Sequence, residues 1–211
     1  MFIIAALHLS QKSPMSQKRR RIIGLTGGIG TGKTTVSNYL AQAYQLPILD
    51  ADIYAREAVQ PNSPVLEKIR QRYGANILLD DGSLNRRALG DIVFNNSQEK
   101  SWLEAQIHPY VRQRFQTQLD KIQANTVVFV IPLLFEAGLT NIVTEIWVVT
   151  CPESQQLERI CQRDKLTTQQ AQARIQSQIP LAQKVAAADV VLDNSSTEEG
   201  LKVQVDREMG N

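Results

Sequence analysis

The chain has 211 residues, 43% hydrophobic and 21% charged, which is enough apolar material for one buried core with room for an inserted lobe. Its 23 basic and 21 acidic residues leave a formal charge of +2, spread without a sustained basic face, so neither nucleic acid nor a membrane surface is an expected partner. Cys151 and Cys161 are the only cysteines and have no flanking His or Cys cluster; this argues against a zinc site or a disulfide framework and leaves two packed thiols, as a reducing cytoplasm would keep them.

Met1 to Leu9 is apolar, yet no positive region precedes it and the basic stretch Lys18 to Arg21 follows it. At about half a membrane span it is neither a secretory signal nor a transmembrane helix. Met1 to Pro14 reads as a disordered extension or an upstream start, and residues 1–20 are set apart from a folded chain expected over 21–205.

Beyond residue 20, short β-branched runs alternate with segments of helical period, the pattern of βαβ units around a parallel sheet. Five strands are expected at Arg21 to Thr26, Pro47 to Asp50, Thr126 to Ile131, Glu145 to Thr150 and Asp189 to Leu192, apolar throughout as strands covered on both faces must be. The second and third are separated by about 75 residues, far more than a crossover needs, so an inserted helical lobe lies between them. Within it, Ser63 and Pro64 predict an N-cap and first helical position. Tyr73 to Asn85, with Asp80, Asp81 and Gly82, predicts an exposed loop. Leu103, Ile107, Val111, Phe115 and Leu119 recur at i, i+4 spacing, interrupted by Pro109, which either starts a new helix or kinks a long one. After the fourth strand, Pro152 to Asp164 reads as a helix, and Thr167 with Gln170 as a capping box opening another. This segment carries Arg159, Arg163, Lys165, Arg174 and Lys184, and is either a flap above a site or a solvated helical hairpin.

The strongest signal is Gly27-Gly28-Ile29-Gly30-Thr31-Gly32-Lys33-Thr34, which satisfies the Walker A pattern between the strand ending in Ile22-Ile23-Gly24-Leu25 and a helix from Thr35. Glycines there let successive backbone N–H groups turn inward around a polyphosphate, with the positive end of the following helix behind them. Lys33 is then expected at β- and γ-phosphate oxygens and the Thr34 hydroxyl on a magnesium ion, making ATP with Mg2+ the expected cofactor pair. The same loop serves switches, motors and kinases, so the acids must discriminate. No Asn-Lys-x-Asp run marks guanine specificity, and the third strand leads into Pro132 rather than an acid. The acids stand in Ile48-Leu49-Asp50-Ala51-Asp52, at the carboxyl end of the second strand, where open α/β sheets place their crevice. Divergent side chains are expected, Asp50 toward the metal and Asp52 toward an incoming hydroxyl as base; the alternative is that either one caps the next helix.

With that Asp-Ala-Asp following the loop, the chain resembles the dephospho-coenzyme A kinases. The likeness continues through Arg86-Arg87-Ala88-Leu89 with Val93-Phe94, His108-Pro109, Pro132-Leu133-Leu134-Phe135-Glu136, Gln162-Arg163-Asp164, and Gln178 with Ala188-Asp189-Val190-Val191-Leu192-Asp193-Asn194, about residues 21 to 200. The resemblance implies an α/β fold, a five-stranded parallel sheet forming a P-loop NTPase core of nucleotide-kinase type (21–54, 125–151 and 188–205), with an inserted helical acceptor lobe (55–124) and a helical lid (152–187). It implies transfer of the γ-phosphoryl group of ATP to the ribose 3′-hydroxyl of dephospho-coenzyme A, in the cytoplasm, by a chain for which a monomer is favoured. By matching positions, residues 27 to 35, including Thr35, hold nucleotide; Asp52 takes the base role; Arg163 meets the phosphates unless it merely pairs with Asp164; and Arg87 and His108 belong to the acceptor side unless His108 is structural. Glu136 is left between orienting the metal's water shell and capping a helix. A related nucleoside or nucleotide kinase, and a nucleotide-binding switch with slow ATPase activity, are the alternatives.

Overall fold

The computed structural model describes residues 20–94 and 96–210; the expected N-terminal extension lies outside them. Five parallel strands, β1 (Arg21–Gly27), β2 (Ile48–Asp50), β3 (Thr126–Val130), β4 (Glu145–Thr150) and β5 (Val190–Asp193), form one sheet ordered β2-β3-β1-β4-β5. Each expected strand is present within a residue at either end.

Alternation along the strands divides the core between the two faces. Ile23 and Leu25 of β1 and Val128 and Val130 of β3 turn to one face, where α1 (Lys33–Ala43) contributes Val36 and Leu40, and α9 (Glu198–Met209) contributes Leu201 and Val205. The hydroxyls of Tyr39 and Tyr44 both donate to Asp206 Oδ1 at 2.7 Å and tie these two helices together. Val127 and Phe129 face the other way, toward α2 (Ala51–Ala58) and α5 (Ser97–Leu119). There Phe115 stacks on Phe129 with centroids 4.4 Å apart, and Tyr54 meets Phe115 edge-on at 5.1 Å.

A third apolar cluster belongs to the inserted segment, where α3 (Pro64–Tyr73), α4 (Arg86–Phe94) and the start of α5 enclose Val65, Leu66, Ile69 and Leu89. Ser63 Oγ accepts from Leu66 N at 3.0 Å with Pro64 first in α3, as the sequence requires. At about 1.5 Å per residue, the 23 residues of α5 are long enough to run from this cluster, through Leu103 and Ile107, to the sheet at Val111 and Phe115. Pro109 neither starts a helix nor ends one: α5 continues through it. Burial on both sides of Pro109 outweighs the lost hydrogen bond, which costs about 3 kcal/mol in a helix held by nothing else. The Tyr73–Asn85 segment is less exposed than its composition implies. A short 3₁₀ turn (Ala75–Ile77) and a Leu78–Leu84 bridge bury Ile77 and Leu84, leaving Leu79, Asp80 and Asp81 in solvent.

Past β4, α6 (Glu153–Asp164), α7 (Thr168–Gln176) and α8 (Leu181–Ala186) return the chain to β5. The Thr167–Gln170 capping box is present at the start of α7. Of the five basic residues expected on a flap, Lys184 is fully buried, 2.7 Å from Glu136; a cation there survives only because a carboxylate comes with it. Helix α9 is an element the sequence reading leaves unassigned. Its signals are Thr197, whose hydroxyl accepts from Gly200 N, acids at 198 and 199 in the first turn, and a left-handed Gly210 after the last.

Candidate active site

The glycine-rich loop joins β1 to α1 in the middle of the sheet, and its shape is set by positions where no side chain fits. Gly27 has φ 147°, and a Cβ on it would strike the Val149 carbonyl. Gly32 has φ 105°, and a Cβ would strike the Asn194 amide, which donates to Thr31 O at 2.8 Å from beyond β5. Helix α1 follows with no side-chain cap and no acid in its first turn, so its leading N–H groups are left for an exogenous anion. Helix α6 packs over the loop, its Gln156 and Ile160 lying where Cβ atoms at Gly28 and Gly30 would be. Arg159 donates from α6 to Gly30 O at 3.3 Å and Asn194 O at 3.2 Å.

Two contacts occupy groups that a polyphosphate would need. Lys33 Nζ donates to Gly28 O at 2.7 Å and Gly27 O at 3.2 Å, and Gln178, from the α7–α8 connection, accepts from Ile29 N at 3.1 Å. Burial, then the neighbouring cations Lys184 and Arg163, bring the Lys33 ammonium down to about 8, against the pull of Asp52 and Glu136. Glu136 accepts from Ile179 N at 3.0 Å as well as pairing with Lys184, so it anchors the base of the α6–α8 segment to the end of β3.

A cavity of about 650 Å³ opens on the loop, lined by Gly30, Lys33 and Thr34, by Asp50 and Asp52 opposite, and by Arg159 and Arg163 above. Asp50 caps α2, its Oδ1 accepting from Asp52 N at 2.8 Å, so the helix-cap reading holds for Asp50. The Asp52 side chain, at the second position of α2, makes no such contact among the described residues. Burial and the Asp50 carboxylate push its carboxyl up from the usual range, while Arg56 and Lys33 pull it down. Arg163 pairs with Asp164 at 2.7 Å, and Arg174 reaches the same carboxylate, yet the Arg163 side chain remains 61% exposed and lines the cavity. Such a pair is worth little in water and is readily exchanged for a phosphate. Thr35 faces away, toward Tyr39 and Glu198 on a separate surface depression. Among the described residues no three His, Cys, Asp or Glu side chains cluster as a metal cage. The Thr34 hydroxyl and the Asp50 carboxylate are hard oxygen donors, a set that suits a magnesium ion keeping its waters and phosphate oxygens.

A second cleft, about 400 Å³, lies between α2, α4 and α5, and Asp52 is the one residue that lines both. Its floor is apolar, from Val59, Leu84, Leu89, Val93, Leu103 and Ile107, with Arg56 and Arg86 added. Arg87 is exposed and His108 half-buried, and neither lines this cleft; burial lowers the His108 imidazole. The sequence reading does not name Arg56 and Arg86, which line this cleft. The signal was present in the helical repeat Arg86, Leu89, Gly90, Val93, which puts residue 86 and not residue 87 on the cleft face of α4.

A parallel sheet with β1 between β3 and β4, a phosphate-shaped loop after β1, an overlying helix that brings Arg159 and Arg163 to it, and an acid facing an adjoining cleft define a P-loop kinase. The family model for dephospho-CoA kinase matches residues 21–199. A dephospho-CoA kinase from Trichormus variabilis is 62% identical over 187 residues, covering 89% of this chain and 95% of its own. Among solved structures, a Thermus thermophilus protein superposes with TM-score 0.79 at 32% identity (90% of this chain, 97% of that one), and a dephospho-CoA kinase from Campylobacter jejuni with TM-score 0.66 at 31% identity (89% and 94%). The chain belongs to the dephospho-CoA kinase family. Among its described residues no helix is long and apolar enough to cross a membrane, and both cysteines are free thiols.

Proposed function

We propose that this chain phosphorylates the ribose 3′-hydroxyl of dephospho-coenzyme A with ATP, giving coenzyme A and ADP. The observation that carries the reading is the position of Asp52, which lines the loop cavity on one side and the apolar cleft on the other. A phosphoryl donor in the first and an alcohol in the second would meet at this carboxylate.

The β- and γ-phosphates lie against the amides of residues 28 to 34, Lys33 exchanges its carbonyl partners for phosphate oxygens, and Gln178 gives up Ile29 N. The ribose O3′ forms the new bond to Pγ as the bond from Pγ to the β,γ-bridging oxygen breaks. The electron pair leaves on ADP, and the hydroxyl proton passes to Asp52. Desolvation and the neighbouring Asp50 carboxylate raise the Asp52 carboxyl, which makes it a better proton acceptor than an ordinary carboxylate. Lys33, Arg159 and Arg163 face the charge that spreads over the transferred group. Thr34 and Asp50 would hold magnesium, which supplies charge neutralisation at the β- and γ-oxygens when bound.

The test is an acceptor screen with purified protein, ATP and magnesium. Coenzyme A is expected from dephospho-coenzyme A, with little turnover of nucleoside monophosphates. Turnover of a nucleoside monophosphate alone, or phosphate release indifferent to dephospho-coenzyme A, overturns the assignment.

A further inference from the structure

Gln178 alone among the described residues lines both the loop cavity and a further hollow of about 500 Å³ beneath α7 and α8, whose wall includes Gly28, Gln156, Ile175 and Leu181. It is the partition between them. On one side stand Lys33, Thr34 and Asp52; on the other is a space with polar lining and room for several waters. Gln178 belongs to the connection between α7 and α8, residues 177–180, where nothing in the local sequence would stop its side chain from turning away. Two contacts on either side of one peptide unit hold it. Gln178 accepts from Ile29 N at 3.1 Å, and the next residue, Ile179, donates its N–H to Glu136 at 3.0 Å.

Glu136 is fixed in turn. The oxygen that accepts from Ile179 N is 2.7 Å from Lys184 Nζ, which is fully buried and lies 3.5 Å from Pro132 O; Thr26 Oγ1, one residue before the loop, donates to that same carbonyl at 3.2 Å. Apolar side chains in place of the pair would be no less stable, because both charges lose water on burial. What they would lack is an oxygen aimed at the Ile179 N–H. Resting on the function proposed above, we infer that Glu136 and Lys184 are positioning residues: they pin Ile179, so that Gln178 stays as a wall against water after phosphate oxygens have taken the Ile29 amide from it. With the wall displaced, a water oxygen bonds to Pγ as the bond from Pγ to the β,γ-bridging oxygen breaks, giving ADP and inorganic phosphate and releasing a proton to solvent. The partition keeps the phosphoryl group for the alcohol beside Asp52.

The test counts ADP and coenzyme A formed together at saturating ATP and dephospho-coenzyme A, with chemical denaturation of each variant alongside. The wild type should make the two in equal amounts. Gln178→Ala should fold as stably as the wild type and make ADP in about two- to tenfold excess over coenzyme A. Two paired replacements separate positioning from packing. Glu136→Leu with Lys184→Met removes both charges and the acceptor of Ile179 N; it should denature near the wild-type midpoint yet show an excess of ADP like that of Gln178→Ala. Glu136→Gln with Lys184→Met is equally uncharged but keeps an oxygen for Ile179 N, and should bring the two products back to equal amounts. Equal products from all three variants, with wild type active, overturn the partition alone. The same excess in both paired variants shows that the oxygen on residue 136 is immaterial and overturns the positioning role. A wild type that makes no coenzyme A removes the function on which the inference rests.

Discussion

The loop cavity and the apolar cleft meet at Asp52 but are built from different material. The cavity is main chain: amides of residues 28 to 34, three loop glycines at positive φ, and neighbours that occupy the space any Cβ would need. The cleft is side chain: aliphatic groups and two arginines carried on three helices, with open space around Gly90. A surface made of backbone recognises what all nucleoside triphosphates share and tolerates no change in shape. A surface made of side chains recognises one acceptor and can be altered position by position.

Asp52→Asn attacks the junction, where the largest effect on turnover is expected. The kcat should fall about 10²- to 10⁴-fold, the usual contribution of general base catalysis, with ATP affinity by titration calorimetry changed by less than about twofold. A normal kcat removes Asp52 from the chemistry.

One substitution made on each side separates the two materials. Gly32→Ala should destabilise the protein by about 1–3 kcal/mol and weaken ATP binding, because it places a side chain at φ 105° against Asn194. Gly90→Ala, inside α4 with nothing within 4 Å, should stabilise by about 0.5–1 kcal/mol and leave ATP binding alone. Chemical denaturation of both variants checks the opposite signs; equal effects would erase the distinction.

The two sides also titrate in opposite directions. Lys33 in the free protein loses its proton at about 8, and phosphates hold the charged form, so nucleotide binding takes up a proton above that pH. ATP affinity should be level below pH 8 and fall above it, by at most about tenfold per pH unit. The Asp52 carboxyl is raised and must be ionised to accept a proton, so kcat/KM for the acceptor should fall on the acid side instead. Arg56→Gln, which removes a charge that lowers the Asp52 carboxyl, should move that acid limb to higher pH. The smallest effect belongs to Gln178→Ala. Freed of its internal acceptor, the Ile29 amide should bind phosphate a few-fold better, in line with a neutral hydrogen bond of about 0.5–1.5 kcal/mol.

The contrast between main chain and side chain also explains what the sequence made legible. Strand order aside, the sheet was readable because buried parallel strands are apolar on both faces. The loop was readable because its function needs glycines and a lysine at fixed spacing, whatever the remainder of the chain does. The cleft resisted because its lining is set by side-chain packing between helices. Arg86 and Arg87 are alike as letters and both exposed, and only the placement of α4 against α5 sets the first and not the second along the cleft. The role of Glu136 depends on Lys184, 48 positions away, and a buried pair of that kind has no local signature. Pro109 left a new helix and one long helix both open, and the structure has the long one, because local helix rules carry no term for two hydrophobic clusters gripping one helix from both ends.

The most direct measurement is a crystal structure of the chain with magnesium and a non-hydrolysable ATP analogue. The β- and γ-phosphates should lie within hydrogen-bond distance of the amides of residues 28 to 34. Lys33 Nζ should have left the Gly27 and Gly28 carbonyls for phosphate oxygens, Gln178 should have released Ile29 N, and Asp52 should face the γ-phosphate from the acceptor side. A nucleotide bound elsewhere, with Lys33 and Gln178 keeping their present partners, would contradict the cradle and everything built on it.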